Sequence, residues 1–291
     1  MFRRIILSAA LFAIIPTSTT IAQSDTADAE ALLKELRTPR PDTVPYIFDV
    51  SYHDALEAEG RGEQETLSSA GSFRVDPSQP AGMRVTLLQA PEPDEDGETD
   101  AQFTDLMATY ETEDLEELAG EFWCGSSKAK TEEDATLPAS QRPTLNIVSR
   151  TDETILFGLT PPEEFVLPEE LIGESGLKRG IAEKMARNVR LYRELDTRSG
   201  FFILERTTID KPFKPHISMK VKAMDQVTVC ALTPDGSGTY AEELTLNQHI
   251  SAALFLNIKR QYRVSVSNLQ PLSVAASEPA SISDDAAAPD L

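Results

Sequence analysis

The sequence predicts an α+β fold dominated by antiparallel sheet, and three observations carry that prediction. Period-two alternation of apolar and polar residues recurs from Val44 onward. The last third reads as strands following one another through gaps too short for a crossover helix, so neighbours there run antiparallel, as a meander. Only three segments carry helical periodicity, at 27–37, 101–120 and 177–195.

Residues 23–43 read as a short leader followed by a helix over Ala27–Arg37, with Leu32, Leu33 and Leu36 as a narrow apolar stripe. Pro39 and Pro41 end it, because the residue before a proline is pushed out of the α region. In the next segment Tyr46, Phe48, Val50 and Tyr52 share one face, and Ile47, Asp49, Ser51 and His53 the other. Residues 54–69 are polar and contain glycine, as a long turn or a frayed strand extension would. Phe73–Val75 and Met83–Leu87 read as two further strands across a proline-containing turn.

The acidic stretch 91–100 reads as a loop and 101–120 as a helix carrying Phe103, Leu106, Met107, Tyr110, Leu115 and Leu118. Polar residues 125–143 read as loop, and Leu145–Val148 pairs with Ile155–Leu159 around Thr151-Asp152-Glu153. A second helix is expected over Leu177–Leu195, with Leu177, Ile181, Met185, Val189 and Tyr192 as its apolar stripe. Six strands then follow: 201–209, 217–223, 226–232, 239–247, 250–258 and 261–267. Residues 273–291, rich in Ala, Ser, Pro and Asp and without an aromatic residue, have the composition of a disordered tail.

The first 22 residues have the order of a cleavable export signal. Arg3 and Arg4 precede the apolar run Ile5–Ile15, which closes at Pro16 and gives way to threonines and Ala22. Those eleven residues fall short of the ~20 that span a bilayer. Cleavage after Ala22 is expected, placing the mature chain in the periplasm or outside the cell. The formal charge of −21 becomes −23 once the two arginines go. Such an excess repels nucleic acid and favours basic partners. Residues 44–272 are expected to form one domain, as a monomer.

Cys124 and Cys230 are the only cysteines. In an oxidising compartment an even pair reads as a disulfide, and the alternative is two unrelated buried thiols. Other chemistry is hard to find. His53, His216 and His249 fall on separate elements, with no H-E-x-x-H and no Cys/His cluster. There is no G-x-S-x-G, S-x-x-K, P-loop or G-x-G-x-x-G. Glu92, Asp94, Asp96, Gly97, Glu98 and Asp100 match part of a calcium loop, but Phe103 stands where its bidentate glutamate belongs. No catalytic residue, metal or cofactor is expected. In the 177–195 segment Lys178, Arg179, Lys184, Arg187, Arg190 and Arg193 face only Glu183 and Glu194. That basic ring fits either a core-packed surface helix or peripheral contact with an anionic membrane.

The layout, with Tyr46–Tyr52, Gly71–Pro77, Met83–Val85, Gly200–Arg206, Tyr262–Ser265 and Asn268-Leu269 on its strands, resembles the periplasmic lipoprotein carriers of the LolA/LolB type. The resemblance implies a strongly curved antiparallel sheet, an open half-barrel wrapping two or three helices. It also implies a soluble protein that binds an apolar or lipid-like ligand, or a lipoprotein, without catalysis. The expected lining is the sheet's inner face: Phe48, Val50, Tyr52, Val85, Val264 and Val266. Two alternatives stand beside it: an envelope adaptor whose core is filled, and a hydrolase without a recognisable motif.

Overall fold

The computed structural model describes residues 24–38, 41–60, 63–93, 100–125, 144–161, 179–216, 218–252 and 256–272. Its centre is one eleven-stranded antiparallel sheet. The strands are β1 (Tyr46–Gly60), β2 (Glu63–Val75), β3 (Val85–Gln89), β4 (Thr144–Arg150), β5 (Thr154–Thr160) and β6 (Val189–Asp196). They continue with β7 (Phe202–Ile209), β8 (Phe213–His216), β9 (Met219–Leu232), β10 (Thr239–Ala252) and β11 (Leu256–Pro271). The order across the sheet is β3-β2-β1-β11-β10-β9-β7-β6-β5-β4, with β8 beside β9. β3 and β4 are its two edges, so the sheet is open. The first and last strands pair in its middle, from Tyr46↔Pro271 to Gly60↔Leu256.

Among the described residues four helices accompany it: α1 (Ser24–Leu36), α2 (Ala101–Thr112), α3 (Leu115–Phe122) and α4 (Arg179–Asn188). Helix α1 starts three residues before the expected Ala27, so 24–26 are helical rather than part of a leader. It packs Ala29, Leu32, Leu33 and Leu36 on Ile155, Phe157, Leu195 and Phe202. Helices α2 and α3 cover the other half of the sheet, where Phe103, Tyr110, Leu118 and Phe122 meet Tyr46, Phe48, Val50, Tyr52 and Phe73. A third cluster joins Val189, Val221 and Met224 to Ile209, Phe213 and Leu246.

Several sequence expectations need correction. Of the two readings of the polar stretch 54–69, the strand extension holds and the long turn does not: it is strand on both sides of residues 61–62, with β1 and β2 in unbroken register. The helix expected over 101–120 is broken at Glu113, whose backbone is extended. The buried Arg84 donates to the Glu113 carbonyl and so holds the break in place. The helix expected over 177–195 ends at Asn188, and Val189–Asp196 is a strand between β5 and β7. Val189, Leu191 and Leu195 are its buried residues. Spacings of two and four between them fit a strand face as well as a helix stripe, and pairing on both sides decides for the strand. In the last third, the strands expected over 217–223 and 226–232 are joined in the single strand β9, which begins at Met219, and the one expected over 250–258 is divided between the end of β10 at Ala252 and the start of β11 at Leu256. The expected export signal, most of the segments expected as loops at 91–100 and 125–143, and the tail expected at 273–291 lie outside the described residues.

Cys124 and Cys230 form a disulfide across a sequence separation of 106 residues, with Cα atoms 6.1 Å apart. It ties the chain just beyond α3 to the C-terminal end of β9. Around it the Cys124 N–H donates to the Thr239 carbonyl at 2.9 Å and the Trp123 indole to the Thr43 carbonyl at 3.0 Å. A Cβ on Gly238 would lie 2.7 Å from the Trp123 ring, so only glycine lets the β9–β10 turn approach it. A disulfide is what an oxidising compartment allows.

Candidate functional site

The structure brings the six inner-face residues into one apolar cluster. Phe48 and Val50 are 0 % exposed, Tyr52 2 % and Val266 6 %, while Val85 and Val264 are partly buried against them. The packing is ring against ring. Phe48 lies 5.0 Å from Phe122 and 6.0 Å from Tyr110, and Tyr52 lies 5.6 Å from both Phe103 and Tyr262. These residues therefore hold core positions under α2 and α3. Phe48→Trp is expected to cost about 1–3 kcal/mol in a urea melt, as overfilling a packed interior does.

The same face does not stop at Tyr52. Alternation carries it on to Asp54 in β1 and, in β11, from Val266 and Val264 through Tyr262 to Arg260. Arg260 donates to both carboxylate oxygens of Asp54, at 2.8 and 2.9 Å, and the two residues are 6 % and 9 % exposed. The guanidinium also sits 5.3 Å from the Tyr262 ring centre. Tyr52 donates its hydroxyl to Asp100 at 2.8 Å, and Asp100 caps α2 by accepting from the Gln102 N–H. The Ser69 hydroxyl, cross-strand from Asp54, is buried without a hydrogen-bond partner among the described residues.

The electrostatics follow from burial. Desolvation holds the Asp54 carboxyl above the usual carboxylate range, with Arg260 pulling the other way. It also pushes the Tyr262 phenol up to about 12, again against Arg260. Tyr52 is raised further, by desolvation and then by the negative charge of Asp100. On the opposite face the contrast is clear. Asp49 accepts from Arg74 at 2.7 Å and from Asn268 at 2.8 Å, and the Arg74 hydrogen bond brings its carboxyl below the usual range.

Past the ion pair the face becomes aliphatic and open. Leu56 pairs across with Arg260 and Leu67, Ile258 with Ala58 and Ile250, and Leu256 with Ala252. Direct cross-strand partners share a sheet face. Leu56, Ile250, Leu256 and Ile258 are half-buried, and Leu67 is 52 % exposed. The site the fold offers is thus a shelf of aliphatic side chains over four strands, with a buried Asp54–Arg260 pair at its inner end. Sequence reading missed it by ending the first strand at His53.

The basic residues at 177–195 are dispersed rather than gathered on one helix. Arg187 pairs with Glu183 at 3.7 Å on α4, whereas Arg190 and Arg193, on β6, pair with Asp210 at 2.8 Å and Glu205 at 3.0 Å. The expected basic ring is thus divided between α4, which carries Arg179, Lys184 and Arg187, and β6, and Lys178 lies outside the described residues. Beside the disulfide, a shallow cleft bordered by Arg37, Trp123, Cys124 and Phe202 encloses about 10 Å³, room for roughly one water.

No family model and no curated protein sequence matches this chain. Among solved structures it is similar to a DUF1329 family protein from Desulfovibrio piger, at 9 % identity over 88 % of this chain and 96 % of that one, with a TM-score of 0.26. It is also similar to a putative outer membrane lipoprotein-sorting protein domain from Vibrio parahaemolyticus, at 7 % identity over 86 % and 93 % of the two chains, TM-score 0.26. A LolA superfamily protein from Nitrosomonas europaea is similar at 8 % identity over 86 % and 94 %, TM-score 0.26. Likenesses this loose do not assign a function, which has to be read from the chain's own surfaces.

Proposed function

We propose that this chain is a non-catalytic periplasmic protein that holds an apolar or lipid-like ligand against the inner face of its sheet. The observation that carries this reading is the aliphatic shelf. Five large side chains on adjacent strands stay in register and open beyond a core that is otherwise filled. A solvated surface strand would alternate to polar residues there, and an apolar face left open marks a place where something else is bound. The buried arginine at its end, with Gln248 across from it and Glu65 across from Ala58, supplies polar groups beside the aliphatic side chains. The order of the first 22 residues, which reads as an export signal, and the Cys124–Cys230 disulfide support the compartment.

A fluorescent acyl probe tests the proposal. The wild-type chain is expected to bind it at micromolar concentration, and Ile258→Glu to weaken binding at least about tenfold, or ~1.4 kcal/mol. Ile258 is half-buried, so its melting temperature should stay close to that of the wild type. Absence of any acyl binding by the wild type would overturn the reading. That outcome would favour the envelope-adaptor alternative, for which the ring-to-ring packing of Phe48, Tyr52, Phe103, Tyr110 and Phe122 is the supporting observation.

A further inference from the structure

Strand β2 runs from Glu63 to Val75, but its outer neighbour β3 pairs only with Ser72–Val75. Among the described residues, no strand lies beside 63–71 on that side. Nine residues at ~3.3 Å each leave a backbone edge roughly 30 Å long. The cause is legible in the chain. Pro91 and Pro93 follow β3 within a few residues and cannot donate to a ladder, so β3 cannot continue along β2. Pro91 sits where the chain leaves, 3.0 Å from the position of a Cβ on Gly71.

Open edges in monomeric proteins are commonly blunted by lysine, proline, a bulge or a covering loop. The run Glu63-Gln64-Glu65-Thr66-Leu67-Ser68-Ser69-Ala70-Gly71 contains neither lysine nor proline. Its register with β1 is unbroken from Phe48↔Val75 to Gly60↔Glu63, so no bulge turns it away. Gln64–Ser68 and Ala70 are exposed. The edge is acidic as well: the run 63–71 holds Glu63 and Glu65 and no basic residue.

We propose that the 63–71 edge of β2 is a docking strand for an extended, basic segment of another protein, which adds to the sheet as a further strand. Backbone N–H and C=O groups of Gln64–Ala70 supply the hydrogen bonds of the new ladder. Leu67 offers apolar contact to one side chain of the incoming strand, and Glu65 meets its lysines or arginines. Acceptance of a second copy of this chain is disfavoured by charge, since each copy carries a formal −21. The edge shares Leu67 with the aliphatic shelf, but the proposal rests on the backbone groups of β2 and is tested by peptide binding without any acyl ligand.

The test uses the full chain and three synthetic eight-residue peptides. One alternates lysine and valine, one alternates glutamate and valine, and one is the lysine peptide N-methylated at alternate residues along one edge. Amide hydrogen exchange and calorimetric titration are the readouts. The lysine peptide is expected to bind and to slow exchange within Gln64–Ala70. The glutamate and N-methylated peptides should bind at least tenfold more weakly, and Glu65→Lys should weaken the lysine peptide by a similar factor. Binding indifferent to N-methylation, slowed exchange confined to other strands, or no binding of the lysine peptide would each overturn the proposal. So would slowed exchange at Gln64–Ala70 that grows with protein concentration and without peptide, because the edge would then be taken by a second copy.

Discussion

Replacing Cys124 and Cys230 together by alanine is expected to lower the unfolding free energy by about 4–5 kcal/mol, the chain-entropy value for a closed loop of this size. The bridge spans 106 residues, and those residues hold β4 through β8 and most of β9. Without it, the unfolded chain regains the freedom to separate α3 from β9. Alanine is the right replacement at Cys230, which is buried, because serine would add a hydroxyl needing a partner. The figure is an upper one, since strain in the folded state or residual structure in the unfolded chain subtracts from it. Urea titration of oxidised wild type against the double variant measures it. A loss under about 1 kcal/mol would mean that the denatured chain is already compact around this loop.

What was legible in the sequence, and what was not, follows from how far each signal extends along the chain. Tyr46, Phe48, Val50 and Tyr52 announced a strand because a half-buried sheet forces period two on neighbouring residues. The cysteine pair was legible from count and compartment alone. The 189–196 segment was not, because Leu191 and Leu195 satisfy both periods and only β5 and β7, distant in sequence or not yet placed, resolve the choice. The Asp54–Arg260 pair was hidden for a different reason: its members are 206 residues apart. A signal did exist. Asp54 falls in phase with the apolar face of β1, as Arg260 does with Tyr262, Val264 and Val266, and a charge in phase with a buried face needs a partner.

That pair carries the other large effect. Arg260→Met is expected to cost about 3–5 kcal/mol at neutral pH, because it leaves the Asp54 carboxylate buried and uncompensated. Asp54→Leu should cost a similar amount by stranding the guanidinium against Tyr262. The double variant should recover most of the loss, since two apolar side chains of similar volume need no desolvation. The pH dependence has a definite sign. Burial already holds the Asp54 carboxyl above its ordinary value. A carboxyl raised in the folded state contributes its stability below the unfolded pKa and loses it as pH rises through the folded one. Removing Arg260 takes away the cation that opposes the rise, so the folded value climbs further and the deficit at neutral pH grows. The deficit of Arg260→Met relative to wild type should therefore shrink as pH falls from neutral toward the ordinary carboxylate range. Chemical melts of the wild type, both single variants and the double, repeated at several pH values, give the coupling energy and its trend. Additive single losses, or a deficit that deepens on acidification, would show that Asp54 and Arg260 do not act as a buried pair at the end of the shelf.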